Sequence, residues 1–253
     1  MPTKIRIMPT LLFKETGLVK GIAFDSWRRV GSAMQAVKVY NLREVDELVF
    51  LDITATRDGR APDYETVDEL ADECFMPLAV GGGIHRVEDV RRLLQVGADK
   101  VVINTAAVET PELIQQVSRR FGAQCVVVSI DSRRHPHGDC EVFTHSGIQP
   151  TGLDPVALAR QSEMLGAGEI LITSIDRDGT MMGYDLELTR RVCEAVSIPV
   201  IASGGAGSYE HMAQALREAR ASAVAAASIF HFTQQTPLEA KYYLKGQGFK
   251  VRT

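Results

Sequence analysis

The chain has 253 residues, with 28 Lys plus Arg against 32 Asp plus Glu and a formal charge of −4. Hydrophobic residues at 45% and charged residues at 24% are the balance of a folded globular chain; they exclude a disordered one, and the acidic excess argues against holding nucleic acid by bulk positive charge. No run of about 18 apolar residues is present, so no membrane span is expected. Residues 1–6 lead into a strand-like run without a signal-peptide core, and Cys74, Cys125, Cys140 and Cys193 are scattered without a C-x-x-C pair; the expected setting is a reducing cytoplasm, with neither a metal cluster nor a disulfide framework.

In chain order, short Val- and Ile-rich runs fall at residues 5–13, 47–54, 77–83, 100–105, 124–131, 169–176, 199–203 and 222–229. Near-continuous apolar runs are the mark of strands covered on both faces. Amphipathic segments lie between them. Residues 87–96 end before Gly97, Thr110 and Pro111 open a helix over 111–120, Asp154-Pro155 opens one that runs to Leu165, and another spans 185–196. Eight strand–helix alternations predict one domain over 1–253, a closed (β/α)8 TIM barrel. An open doubly wound sheet is the alternative; it lacks a G-x-G-x-x-G turn after the first strand.

The chain also repeats itself. An offset of 122 residues lays Pro77-Leu78-Ala79-Val80-Gly81-Gly82-Gly83 on Pro199-Val200-Ile201-Ala202-Ser203-Gly204-Gly205, and residues 48–54 on 170–176. An offset of 119 lays residues 6–14 on 125–133. Two half-barrels of four strands each are expected.

In such a barrel the working face is at the C-terminal ends of the strands. Gly81-Gly82-Gly83 and Ser203-Gly204-Gly205-Ala206-Gly207 end the third and seventh predicted strands, beside Asn104-Thr105-Ala106 and Ala226-Ala227-Ser228 at the ends of the fourth and eighth. Such turns let backbone N–H groups approach an anion, so two phosphate cradles on opposite sides of the mouth are predicted; tight strand–helix turns alone would also use glycine. Asp52, Asp131, Asp176 and Asp178 end the second, fifth and sixth strands, where a buried carboxylate needs a partner or a use. The 119 offset places Leu12 opposite Asp131, one central carboxylate where symmetry had room for two. Lys20 sits in a flexible-looking loop over residues 14–21, of the kind that folds over substrate. His135-Pro136-His137 lies in a polar turn and is not expected to hold a metal.

The stretches Glu44-Val45-Asp46-Glu47-Leu48-Val49-Phe50-Leu51-Asp52-Ile53-Thr54-Ala55, Val80-Gly81-Gly82-Gly83-Ile84, Asp176-Arg177-Asp178-Gly179-Thr180, Ala202-Ser203-Gly204-Gly205-Ala206-Gly207 and Ser228-Ile229-Phe230-His231-Phe232 resemble the cyclase subunit (HisF) of imidazole glycerol phosphate synthase, over essentially the whole chain. The resemblance implies a barrel that docks on a glutaminase subunit and conducts ammonia along its axis. At the mouth, ammonia meets a bisphosphorylated ribulosyl aminoimidazole carboxamide ribotide; imidazole glycerol phosphate and an aminoimidazole ribotide result. It implies no cofactor. Carried over by position, the charged gate is Arg6, Glu47, Lys100 and Glu169; one phosphate is held by Gly83, Asn104 and Thr105, the other by Gly179, Gly205, Ala227 and Ser228; the catalytic acid–base is Asp131 and the loop lysine is Lys20. The four gate residues stand at the N-terminal ends of predicted strands, where two cations and two anions can neutralise one another.

One departure stands out. The family's first strand ends Cys-Leu-Asp, the aspartate being its second catalytic carboxylate; here it reads Thr10-Leu11-Leu12, and the later Gly-Asp-Pro is Gly31-Ser32-Ala33. Leucine transfers no proton, and a general acid–base group is worth about 10²–10⁴-fold. Leu11-Leu12-Phe13-Lys14 with Glu73-Cys74-Phe75-Met76-Pro77 is similar to diverged paralogues of surface-polysaccharide gene sets, which implies ammonia delivery to a sugar amidotransferase that converts an acetamido into an acetamidino sugar.

Overall fold

The computed structural model describes residues 4–15 and 17–252. Its strands in chain order are β1 (Arg6–Lys14), β2 (Gly17–Ile22), β3 (Asp25–Gly31), β4 (Leu48–Asp52), β5 (Leu78–Gly81), β6 (Lys100–Ile103), β7 (Val126–Arg134), β8 (Cys140–Thr144), β9 (Gln149–Pro150), β10 (Glu169–Ser174), β11 (Val200–Ser203) and β12 (Ala223–Ala226). Eight of them, in the order β1-β4-β5-β6-β7-β10-β11-β12, pair in parallel, and β12 returns to β1 to close the ring. The fold is the (β/α)8 barrel.

The helices are α1 (Ala33–Leu42), α2 (Tyr64–Glu73), α3 (Val87–Gln95), α4 (Thr105–Glu109), α5 (Glu112–Phe121), α6 (Pro155–Met164), α7 (Leu186–Ala195), α8 (Tyr209–Arg217), α9 (Ser228–Phe232) and α10 (Pro237–Gly246). Side-chain caps set the starts of α2, α6, α7, α8 and α10; Asp154, for example, accepts from Ala157 N at 2.9 Å and Asp185 from Leu188 N at 3.0 Å, each satisfying an amide that the helix leaves unpaired. Thr110 does not act as expected. Pro111 is the residue before α5, without a side-chain cap, and Thr110 contributes its carbonyl to Leu113 N.

Alternation along the strands splits the apolar side chains into two cores. Ile7, Leu11 and Phe13 of β1 face the helices, while Met8, Val49, Ala79, Val102, Val127, Leu171, Ile201, Ala223 and Ala225 fill the ring's interior from all eight strands. The C-terminal helix is tied to the N-terminal end of the ring. Lys241 Nζ lies 2.7 Å from Asp46 Oδ1, and the other oxygen of Asp46 accepts from Ile7 N at 3.0 Å.

The half-barrel repeat holds in register as well as in sequence. Leu12 pairs with Leu51 across β1–β4, and Asp131 with Thr173 across β7–β10. Gly82 and Gly204 both adopt positive φ, +106° and +85°. A Cβ on the first would stand 2.2 Å from Asp52 O and on the second 2.7 Å from Ser174 O, the same neighbour at the 122 offset; glycine is required at both by close backbone approach.

The repeat extends to a feature absent from the sequence reading. Each half opens with a nine-residue strand, β1 or β7, that outruns the ring and pairs with a returning antiparallel hairpin. Leu12↔Val19 begins the β1–β2 pairing, Asp131↔Phe143 the β7–β8 pairing. Of the segment expected to be a flexible loop, Lys14 ends β1 and residues 17–21 lie in β2, the first strand of the β2–β3 hairpin, where Lys20 is 1% exposed.

Candidate functional site at the barrel mouth

At the N-terminal end of the barrel the four predicted gate residues meet. Arg6 Nη1 lies 2.6 Å from Glu47 Oε2 and 3.0 Å from Glu169 Oε1. Lys100 Nζ lies 2.8 Å from Glu47 Oε1 and 3.2 Å from Glu169 Oε1. Each cation bridges both anions, so the ring is closed and neutral. Burial works against the Arg6 charge, but Glu169 and Glu47 together hold its pKa above the ordinary value. Strand direction explains the convergence: each of these residues opens its strand, or stands one before it, with the same inward parity as Met8, Val49, Val102 and Leu171.

At the opposite end the two hairpins roof a cavity. Ala23 N donates to Asp178 O at 2.8 Å, Ser146 Oγ donates to Ile53 O at 2.6 Å, and the ring of Phe24 covers Gly147. Asp131 is buried within it. Asn104 Nδ2 donates to Asp131 Oδ2 at 3.1 Å and to Ser129 O at 3.0 Å. Burial pushes the Asp131 carboxyl up to about 7, and the neighbouring Asp178 adds to the rise; hydrogen bonds from Thr173, Asn104 and Ser129 pull the other way. A group balanced near neutrality can both take and give a proton. Asp178 is itself raised by burial, against the pull of Lys20. Lys20 Nζ contacts Asp178 Oδ2 at 2.5 Å. The predicted catalytic pair of Asp131 and Lys20 thus lines one cavity, with Asp178 linking the two: it adds to the rise of Asp131 and pairs with Lys20.

The other carboxylates separate. Asp52 lines the cavity but is committed: Oδ1 accepts from Thr54 N at 2.9 Å and Ala55 N at 3.0 Å, and Oδ2 faces Arg60 Nη1 at 3.2 Å. It caps the turn after β4. Asp176 accepts from Arg134 N at 2.8 Å; it lies outside the cavity lining, because the turn after β10 carries it towards β7 while Asp178 turns inward. Leu12 lines the cavity beside Leu51, so the wall at the β1–β4 position is apolar where the symmetric β7–β10 wall has Asp131 and Thr173.

Gly83, Asn104, Thr105, Gly179, Gly205, Ala227 and Ser228 all line this cavity. Asn104 and Ala227 precede the short helices α4 and α9, whose first residues are Thr105 and Ser228. The two sets occupy opposite halves of the ring, as predicted.

The sequence reading missed Thr10, Thr173, Phe24 and Trp27, which also line the cavity. Thr10 and Thr173 share inward parity with Met8 and Leu171, a signal that was available. Phe24 and Trp27 are placed by the hairpin, which periodicity did not reveal. His231 lies on α9, with Nε2 3.4 Å from Thr10 O; burial holds its pKa below the ordinary value. Among the described residues no group of three or more His, Cys, Asp or Glu is arranged to hold a metal ion, and no helix is long and apolar enough to cross a membrane.

Compared with known protein families, the chain matches the family model described as "Histidine biosynthesis protein" over residues 6–236.

Proposed function

The chain belongs to the histidine biosynthesis protein family, and from that premise we propose that it accepts ammonia from a glutaminase partner at the N-terminal end of the barrel and delivers it to a phosphorylated small molecule at the mouth. The observation that carries this reading is the closed ring of Arg6, Glu47, Lys100 and Glu169 beneath an apolar interior. Ions are rejected by an apolar lining, whereas a small neutral base enters at far lower cost. A neutral ring that opens by moving one side chain, Lys100, suits a gate: its two ion pairs can re-form after each passage.

At the mouth, Asp131 holds or releases a proton near neutrality, while Leu12 offers none. One acid–base group where ring closure by this family uses two favours delivery of ammonia over cyclisation. The finer assignment we propose is amidination of a surface-polysaccharide sugar, with a sugar amidotransferase as the acceptor's enzyme and a cytoplasmic location.

A second reading, the histidine-pathway cyclase itself, is favoured by one observation: Asp178 places a second buried carboxyl beside Asp131.

Reconstitution with the glutaminase and amidotransferase tests the gate. Lys100→Met should leave glutamine hydrolysis running while nitrogen transfer to the acceptor falls. Unchanged coupled transfer would mean that the barrel activates its partner without conducting ammonia.

A further inference from the structure

The two phosphate turns are symmetric in sequence but not in their hydrogen bonding. In the first, the Gly83 N–H donates to Thr56 Oγ1 at 3.2 Å. Thr105 Oγ1 accepts from His145 N at 3.1 Å and donates to Asn104 Oδ1 at 3.3 Å. Asn104 spends its amide on Ser129 O and Asp131. His145 belongs to the tip of the second hairpin, which is pinned in place by Ser146 on Ile53 O. These donors of the first turn are satisfied within the protein.

The second turn differs. Ser228 is 5% exposed, lines the mouth cavity, and its hydroxyl has no hydrogen-bond partner among the described residues. Ala227, in the place of Asn104, has no polar side chain to engage it. A buried hydroxyl left unpaired is unfavourable, and a phosphate oxygen is a strong acceptor for it. Arg177, exposed on the neighbouring turn, has its Cβ close to Gly205. Between the two turns along the ring, Leu12 and Leu51 form an apolar step that does not favour an anion.

We propose that the mouth takes a ligand with a single phosphate, seated at the Gly205–Ala227–Ser228 turn, whose other end carries no phosphate because the matching Gly83–Asn104–Thr105 turn is closed by Thr56 and the His145 tip. This rests on the reading that the mouth binds a phosphorylated molecule and narrows it to monophosphates.

The test is amide NMR of the full chain titrated with inorganic phosphate. Saturable shifts are expected at Gly205 and Ser228, with Gly83 and Thr105 unmoved. Ser228→Ala, with an otherwise unchanged spectrum, should weaken phosphate binding by about 10-fold or more, the worth of a hydrogen bond to a charged group. Saturable shifts at both turns overturn the single-phosphate proposal and leave the phosphate reading standing. Shifts at neither turn overturn both. Shifts at the first turn alone, or unweakened binding by Ser228→Ala, overturn the proposal.

Discussion

The raised carboxyl of Asp131 has a consequence for stability. Its carboxyl is held at about 7 in the folded chain, against an ordinary value of about 3.9. Between those values the folded protein keeps a proton that the unfolded chain has lost, so this residue's contribution makes stability fall as pH rises from about 4 to 7 and then level off. Asp131→Asn removes that slope. Chemical denaturation should find the variant close to the parent at pH 4 and more stable at pH 8 by a few kcal/mol, since each tenfold difference in proton affinity between the folded and unfolded chains is worth about 1.4 kcal/mol. A pH-independent difference would mean that Asp131 is not held in the protonated form. Asp52 is the contrasting residue. A strand-end position made it a site candidate, but its oxygens are taken by Thr54, Ala55 and Arg60, partners that only the folded turn brings together.

At the scale of elements, the hairpin over the mouth carries its own strain. The β2–β3 turn has Ala23 and Phe24 between paired Ile22 and Asp25, both at positive φ, 50° and 62°. That is the geometry of a two-residue turn that prefers Asn or Gly, and a left-handed alanine costs about 1 kcal/mol. Ala23→Asn should raise stability by about 0.5–1 kcal/mol, an increase of about 2 °C in Tm for a chain of this size; a lower Tm would mean that the Asn side chain disturbs the contact with Asp178. The strain also explains why this hairpin was illegible in sequence. Its turn is Ala23-Phe24 rather than an Asn-Gly pair, and Gly17 and Gly21 on β2 read as loop. The barrel strands were legible because burial on both faces leaves Val- and Ile-rich runs, although residues 104–105 and 227–229, read as strand ends, instead lead into α4 and α9. Small residues serve strand ends and tight helix starts equally, so composition could not divide them.

At the scale of the molecule, the repeat is what made the site legible. Offsets of 119 and 122 residues placed Leu12 opposite Asp131 and matched the glycine turns, and the registers Leu12↔Leu51 and Asp131↔Thr173 place them in the same way. The four gate residues were carried over by position from the family resemblance, and in the fold they do meet at the N-terminal end of the ring. What the repeat could not reveal is where the halves differ: the committed hydroxyl of Thr105, the unpaired one of Ser228, and Asp178 beside Asp131 rather than Asp176. Those differences arise from loops that carry no periodicity. Leu12 offers no carboxyl opposite Asp131. On the proposed reading, cyclisation is therefore the step expected to be lost from this chain. The direct measurement is turnover of the bisphosphorylated ribulosyl substrate with an ammonium salt, comparing the parent chain with Leu12→Asp. The account predicts no appreciable imidazole glycerol phosphate from the parent; the variant gains at most the roughly 10²–10⁴-fold due to one acid–base group, less what the closed Gly83 turn costs the second phosphate. Robust turnover by the parent chain would contradict it.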